Sequence, residues 1–171
     1  MAIATVSNAP TVVQCHDQRF AGRPIRFRVP YTKPGEMVVA AQAVNIAFPA
    51  GTYLHGVELP FEIWDVKLEA SQSVAQTPFV PVAEPAPRLS KFWRVRLRDT
   101  AKNQTITAAA QLVDSVIERP NNIWRFPFPY TVVRSEGFEV EVDNLLPANW
   151  LRAEVTFRGY LLILEPPSET R

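Results

Sequence analysis

The sequence predicts an all-β protein, a β-sandwich or barrel with an irregular N-terminal arm. Three observations carry that expectation. Proline makes up 16 of the 171 residues and glycine only 6, so proline is at nearly twice its usual ~5%. Prolines at this density suit strand starts, edges and stiff loops, and a long helical protein does not tolerate them. Several stretches alternate apolar and polar residues with the period of a half-buried strand. Turn signals separate about eight such stretches, the pattern of a β-sandwich or barrel. The length suits one ordinary domain with its own core. The expected organisation is an extended arm over 1–22, a single β-sandwich over 23–165 and a short tail over 166–171.

Taken in order, RPIRFRV sets Ile25, Phe27 and Val29 against Arg26 and Arg28, a strand with a basic outer face. YTKPGE reads as a turn, with Pro34-Gly35 suited to type II geometry. MVVAAQAVNIAF reads as a further strand stopped at Pro49-Ala50-Gly51, although its alanines also permit a short helix. LPFEIWDVKLEAS is a clear strand in which Phe61 and Ile63, then Val66 and Leu68, point inward. The break in phase near Trp64-Asp65 predicts a bulge or twist. VAQTPFVPVAEPAPRLS is a stiff surface loop. KFWRVRLRD resumes alternation, with Trp93, Val95 and Leu97 against Arg94, Arg96 and Arg98. TAKNQT is the expected hairpin turn into ITAAAQLVDSVIE, which reads as extended, although its Ala-rich middle also permits a helix. In IWRFPFPYTVVRSEGFEVEVDN, Pro127 and Pro129 hold Phe126, Phe128 and Tyr130 in a ribbon that cannot take a full set of ladder bonds. A turn at Glu136-Gly137 then launches a strand with Phe138, Val140 and Val142 inward and Glu139, Glu141 and Asp143 outward. LRAEVTFRGYLLIL supplies the last strand, or a pair broken at Gly159.

Composition narrows the function classes. With 18 basic and 17 acidic residues the net charge is +1, which argues against a general nucleic-acid binder. No run approaches the ~18 apolar residues of a membrane helix, and MAIATVSNAPTVVQCHDQ does not read as a signal peptide. No partnership with nucleic acid or membrane is expected, and synthesis in a host cytoplasm fits the single cysteine, Cys15. Cys15, His16 and His55 do not form a metal cluster with ligand spacing. There is no nucleophile elbow and no phosphate-binding loop. The carboxylates Glu58, Glu62, Asp65 and Glu69 are close in sequence, but spacing alone points to no hydrolytic cleft, and alternation explains the row Glu139, Glu141 and Asp143 as a solvated strand face. The expectation is therefore no catalytic, metal or cofactor site.

Two groups stand out as candidate protein interfaces. The first is the arginine rows, Arg26 and Arg28 with Arg94, Arg96 and Arg98. They pair with the acidic row inside the sheet or face an acidic partner, and the first reading is favoured because opposite charges commonly sit across strands. The second is the proline-spaced aromatic group Trp124, Phe126, Phe128 and Tyr130. Together with Trp64, Trp93 and Trp150 it offers core or interface anchors before it offers a sugar platform.

PFEIWDVKLEAS, RFPFPYTVVRSEGFEVEVDN and LRAEVTFRGYLLI, taken together, resemble the jelly-roll decoration or cement proteins of tailed-bacteriophage capsids. The resemblance covers most of residues 60–164, and Trp64 stands where a polar residue or histidine is expected of relatives. It implies a non-enzymatic virion protein on the capsid exterior that bridges major capsid protein subunits. Its expected partners are the major capsid protein and neighbouring copies of itself, as a homodimer or homotrimer. A receptor- or carbohydrate-binding module of a tail or fibre, and a tail or neck component, are the alternatives.

Overall fold

The computed structural model describes residues 13–14, 18–44, 46–48, 60–83, 88–99, 104–107, 109–132 and 138–166. Its strands are β1 (Val13–Gln14), β2 (Arg19–Phe20), β3 (Arg23–Val39), β4 (Ile46–Phe48), β5 (Phe61–Ser73), β6 (Trp93–Asp99), β7 (Gln104–Thr105), β8 (Gln111–Leu112), β9 (Ile123–Val132), β10 (Phe138–Asn144) and β11 (Trp150–Leu164). They form two antiparallel sheets. One runs β1-β3-β11-β5-β9, with β2 also on β3, and the other runs β4-β10-β6-β7, with β8 also on β6. The all-β sandwich expected from alternation is what forms.

Alternation builds the core. Phe61, Ile63, Val66 and Leu68 of β5, Leu151, Ala153, Val155 and Phe157 of β11, and Val39 and Val132 come from the first sheet. They pack in one buried cluster with Trp93, Val95 and Leu97 of β6 and Val140 and Val142 of β10. Each large apolar side chain buried here contributes about 1.5–3 kcal/mol relative to exposure. Two polar contacts lock this core. The Tyr130 hydroxyl on β9 donates to Asp99 Oδ2 on β6 at 2.6 Å, joining the sheets. The fully buried Asn144, at the end of β10, donates through its side-chain amide to the carbonyls of Val39, Ala40 and Asn149 at 3.1, 2.9 and 3.0 Å. Its Oδ1 accepts from the Leu146 backbone N–H at 3.0 Å.

Several local expectations need correction. YTKPGE is not a turn, because β3 continues through it to Val39. The reason lies in which way the backbone faces. Leu162 N–H donates to the Pro60 carbonyl on the β5 side, so odd-numbered residues of β11 turn to β3. They pair there with Val29, Tyr31, Lys33 and Gly35. Pro30 and Pro34 therefore aim their nitrogens at the outer edge, where β1 and β2 do not reach, and the missing donors cost no ladder bond. MVVAAQAVNIAF is not one strand. It leaves β3 at Val39, turns at Ala41-Gln42 and resumes as β4. Gln42 has φ of 55°, a left-handed conformation that the apolar pattern does not reveal. ITAAAQLVDSVIE is not extended throughout, since a single helical turn, Val113–Val116, follows β8. Of the two readings of LRAEVTFRGYLLIL, the single strand holds, since β11 runs unbroken through Gly159.

The bulge predicted at Trp64 is present: Ile63 pairs with Gly159 and Asp65 with Arg158, leaving Trp64 between them. The proline-spaced ribbon is also present. β9 pairs with β5 at 123–125 and 130–132, and residues 126–129 have no partner in that register. Within 1–22, Val13–Gln14 and Arg19–Phe20 pair with β3. The Glu136-Gly137 turn, the loop residues 100–103 and the tail beyond 166 lie outside the described residues, as does the Phe138 side chain.

Candidate functional site

Three of the five row arginines, Arg28, Arg96 and Arg98, form ion pairs within the protein. β6 and β10 pair so that Arg94 faces Asp143, Arg96 faces Glu141 and Arg98 faces Glu139. Glu141 takes Arg98 at 2.8 Å and Arg96 at 3.4 Å, and its hydrogen bond and charge hold the Arg98 guanidinium above its usual pKa. The expected solvated acidic face is thus overturned at Glu141 and Asp143, both buried, Glu141 beneath Arg96 and Arg98. Bare basic and acidic rows on adjacent strands would each repel themselves, and interleaving them removes that cost. In the other row, Arg28 binds Glu62 at 3.1 Å and the Gln18 side chain. Arg26 is exposed, with its guanidinium over the Phe27 ring at 5.1 Å.

The aromatic group splits. Trp124 and Phe126 meet edge to face at 5.6 Å and pack against the core. Tyr130 is tied to Asp99, and its burial, reinforced by that bond, raises its pKa. Phe128 alone projects outward, 81% exposed, between Pro127 and Pro129 in the part of β9 that has no ladder partner on β5. Among the tryptophans, Trp93 is in the core and Trp150 is half-buried, so they do not form a platform with Trp64.

The carboxylates weighed for hydrolysis carry structural partners. Besides Glu62 with Arg28, Asp65 binds Arg158 at 2.5 Å and Glu69 binds Lys67 at 2.7 Å. Among the described residues no group of three or more His, Cys, Asp or Glu side chains is placed to hold a metal. Cys15, His16, His55 and Glu58 lie outside the described residues.

One concave site emerges that the sequence reading did not assemble. The bulge turns Trp64 and Asp65 toward a cavity of about 390 Å³ also lined by Thr32, Arg158, Gly159 and Tyr160. Trp64 Nε1 donates to Glu62 Oε1 at 2.7 Å, and the indole meets Tyr160 edge to face at 6.4 Å. Trp64 is nevertheless 46% exposed. A Cβ on Gly159 would lie 1.9 Å from the Glu62 carbonyl oxygen, so only glycine lets β11 approach β5 this closely. Tyr160 and Arg158 were missed because a one-dimensional pattern does not show which strands are neighbours. The two irregularities that mark the place, the phase break at Trp64 and the glycine at 159, were both visible.

No protein-family model and no curated protein matches the chain.

Proposed function

We propose that this protein is a non-enzymatic virion component that decorates and cements a bacteriophage capsid by bridging major capsid protein subunits, its jelly-roll-type sandwich acting as a rigid spacer. The observation that carries this reading is Phe128. A phenyl ring 81% exposed is held between two prolines on an edge strand whose central residues pair with nothing in the β5 register. Such a ring is a preorganised anchor for a partner's pocket, and the flanking prolines lessen the ordering entropy lost on docking. The resemblance of the β5, β9–β10 and β11 sequences to capsid decoration proteins points the same way. With Arg28, Arg96 and Arg98 engaged internally, the contact surface is the β9 edge, reinforced by neighbouring copies of the chain as a homodimer or homotrimer. Many weak copies on a symmetric shell hold by avidity.

The test is to locate and count the protein in purified particles by cryo-electron microscopy. Hundreds of copies on the shell, released in Phe128→Ala particles that then lose DNA at lower temperature, are expected. About a dozen copies or fewer at one vertex would instead identify a tail or neck component and overturn the decoration reading.

A further inference from the structure

We propose that the cavity at Trp64 is a binding site for a neutral saccharide. The inference stands apart from the decoration reading, since it concerns the outer face of the β3–β11–β5 layer rather than the β9 edge.

The first argument is the way the indole is held. In a regular strand, consecutive residues point to opposite faces. The bulge breaks that rule and brings both Trp64 and Asp65 to one cavity, and bulges are a common device for re-aiming a side chain at a site. A chain of contacts then fixes the ring. Arg28 holds Glu62 Oε2 at 3.1 Å, Glu62 Oε1 accepts from Trp64 Nε1 at 2.7 Å, and Glu62 itself is only 6% exposed. Burying a carboxylate to orient an indole that stays 46% exposed has no use in core packing. It presents a flat apolar plate to solvent in one orientation.

The second argument is the polar wall. Asp65 and Arg158 meet at 2.5 Å, and their side chains keep 17% and 38% of their exposure. The pair supplies both acceptors and donors in one place, and Thr32 adds a hydroxyl. Because the guanidinium and carboxylate offset one another, the site offers little to an anion or a cation. A pyranose has the matching chemistry: a face of C–H groups for the indole and a rim of hydroxyls that donate and accept. A pocket of about 390 Å³ is at the small end of the ~300–1,000 Å³ range of ligand sites, suited to one or two sugar rings.

The experiment uses the purified full chain with two sets of probes. Free glucose, galactose and N-acetylglucosamine are titrated by tryptophan fluorescence, and neutral oligosaccharides and polysaccharides are presented on a glycan array. The free sugars test the site itself, and the array distinguishes a monosaccharide site from one that reads a surface polymer. At least one neutral saccharide is expected to bind saturably with Kd of ~1 mM or tighter. Trp64→Ala should weaken it at least ~10-fold and Trp64→Phe less, with thermal midpoints close to that of the parent. Phe128→Ala should bind as the parent does. The proposal is overturned if no probe binds saturably up to ~100 mM, if Trp64→Ala binds unchanged, or if only acidic glycans bind.

Discussion

Replacing Asn144 with alanine tests how this sandwich closes. Asn144 is fully buried and its amide binds three carbonyls, those of Val39, Ala40 and Asn149, while its Oδ1 takes the Leu146 N–H. These groups belong to the end of β3, the turn after it and the loop between β10 and β11. One side chain thus fastens the crossing from the first sheet to the second. Alanine leaves those backbone groups without their side-chain partner in a site with no room for bulk water. A net ~1 kcal/mol per lost bond, with the desolvation cost of orphaned groups, gives a loss of about 2–4 kcal/mol. At 171 residues that corresponds to a fall in Tm of roughly 5–15 °C. Asn144→Asp should lose more at pH 7 than at pH 4, because a buried carboxylate facing carbonyl oxygens cannot ionise cheaply and its protonated form still donates once. Urea unfolding followed by tryptophan fluorescence measures both. A loss under about 1 kcal/mol for Asn144→Ala would refute the reasoning, since it would mean water or relaxed backbone replaces the amide.

Gly159→Ala should destabilise by about 2 kcal/mol or more, because its Cβ would stand 1.9 Å from the Glu62 carbonyl oxygen and the two strands must part; a thermal midpoint equal to the parent's would contradict that contact. Tyr130→Phe removes the hydroxyl bound to Asp99 and should cost about 1–2 kcal/mol near neutral pH. Burial, with the Asp99 bond, raises the Tyr130 pKa in the folded protein, so its stabilisation is complete below the unfolded value of ~10 and fades as pH rises above it. The parent and the variant should therefore converge in urea titrations run at increasing pH above ~10, and a constant difference would rule the linkage out.

Strand identity was legible wherever burial is one-sided. Val95, Leu97, Val140 and Val142 alternate with charged residues, and that period alone assigns their faces. The predicted bulge at Trp64 was legible for the same reason, as a shift in phase. The continuation of β3 through YTKPGE was not, because its prolines and glycine carry turn chemistry in any local reading. Their tolerance depends on β11 lying on one side of β3 and no ladder on the other, which is a property of the sheet. The acidic row illustrates the same limit. Glu139, Glu141 and Asp143 have the pattern of a solvated face, and only the β6–β10 register shows that arginines cover Glu141. The cavity at Trp64 was least legible, since it needs residues from three strands to meet.

The pairing of β3 with β11 also determines how the domain answers a pull. They run antiparallel from Val39↔Leu151 to Ile25↔Leu164, so the first residues of β3 and the last of β11 lie together, with Arg23 binding the Glu165 carbonyl. Tension applied between residues 23 and 165 would open this ladder one rung at a time, as a zipper opens, and would meet little resistance. Tension entering along opposed strands would load many rungs at once in shear. The domain is therefore weak when stretched between residues 23 and 165 and strong when gripped through its sheets, a direction-dependent stiffness set by strand order.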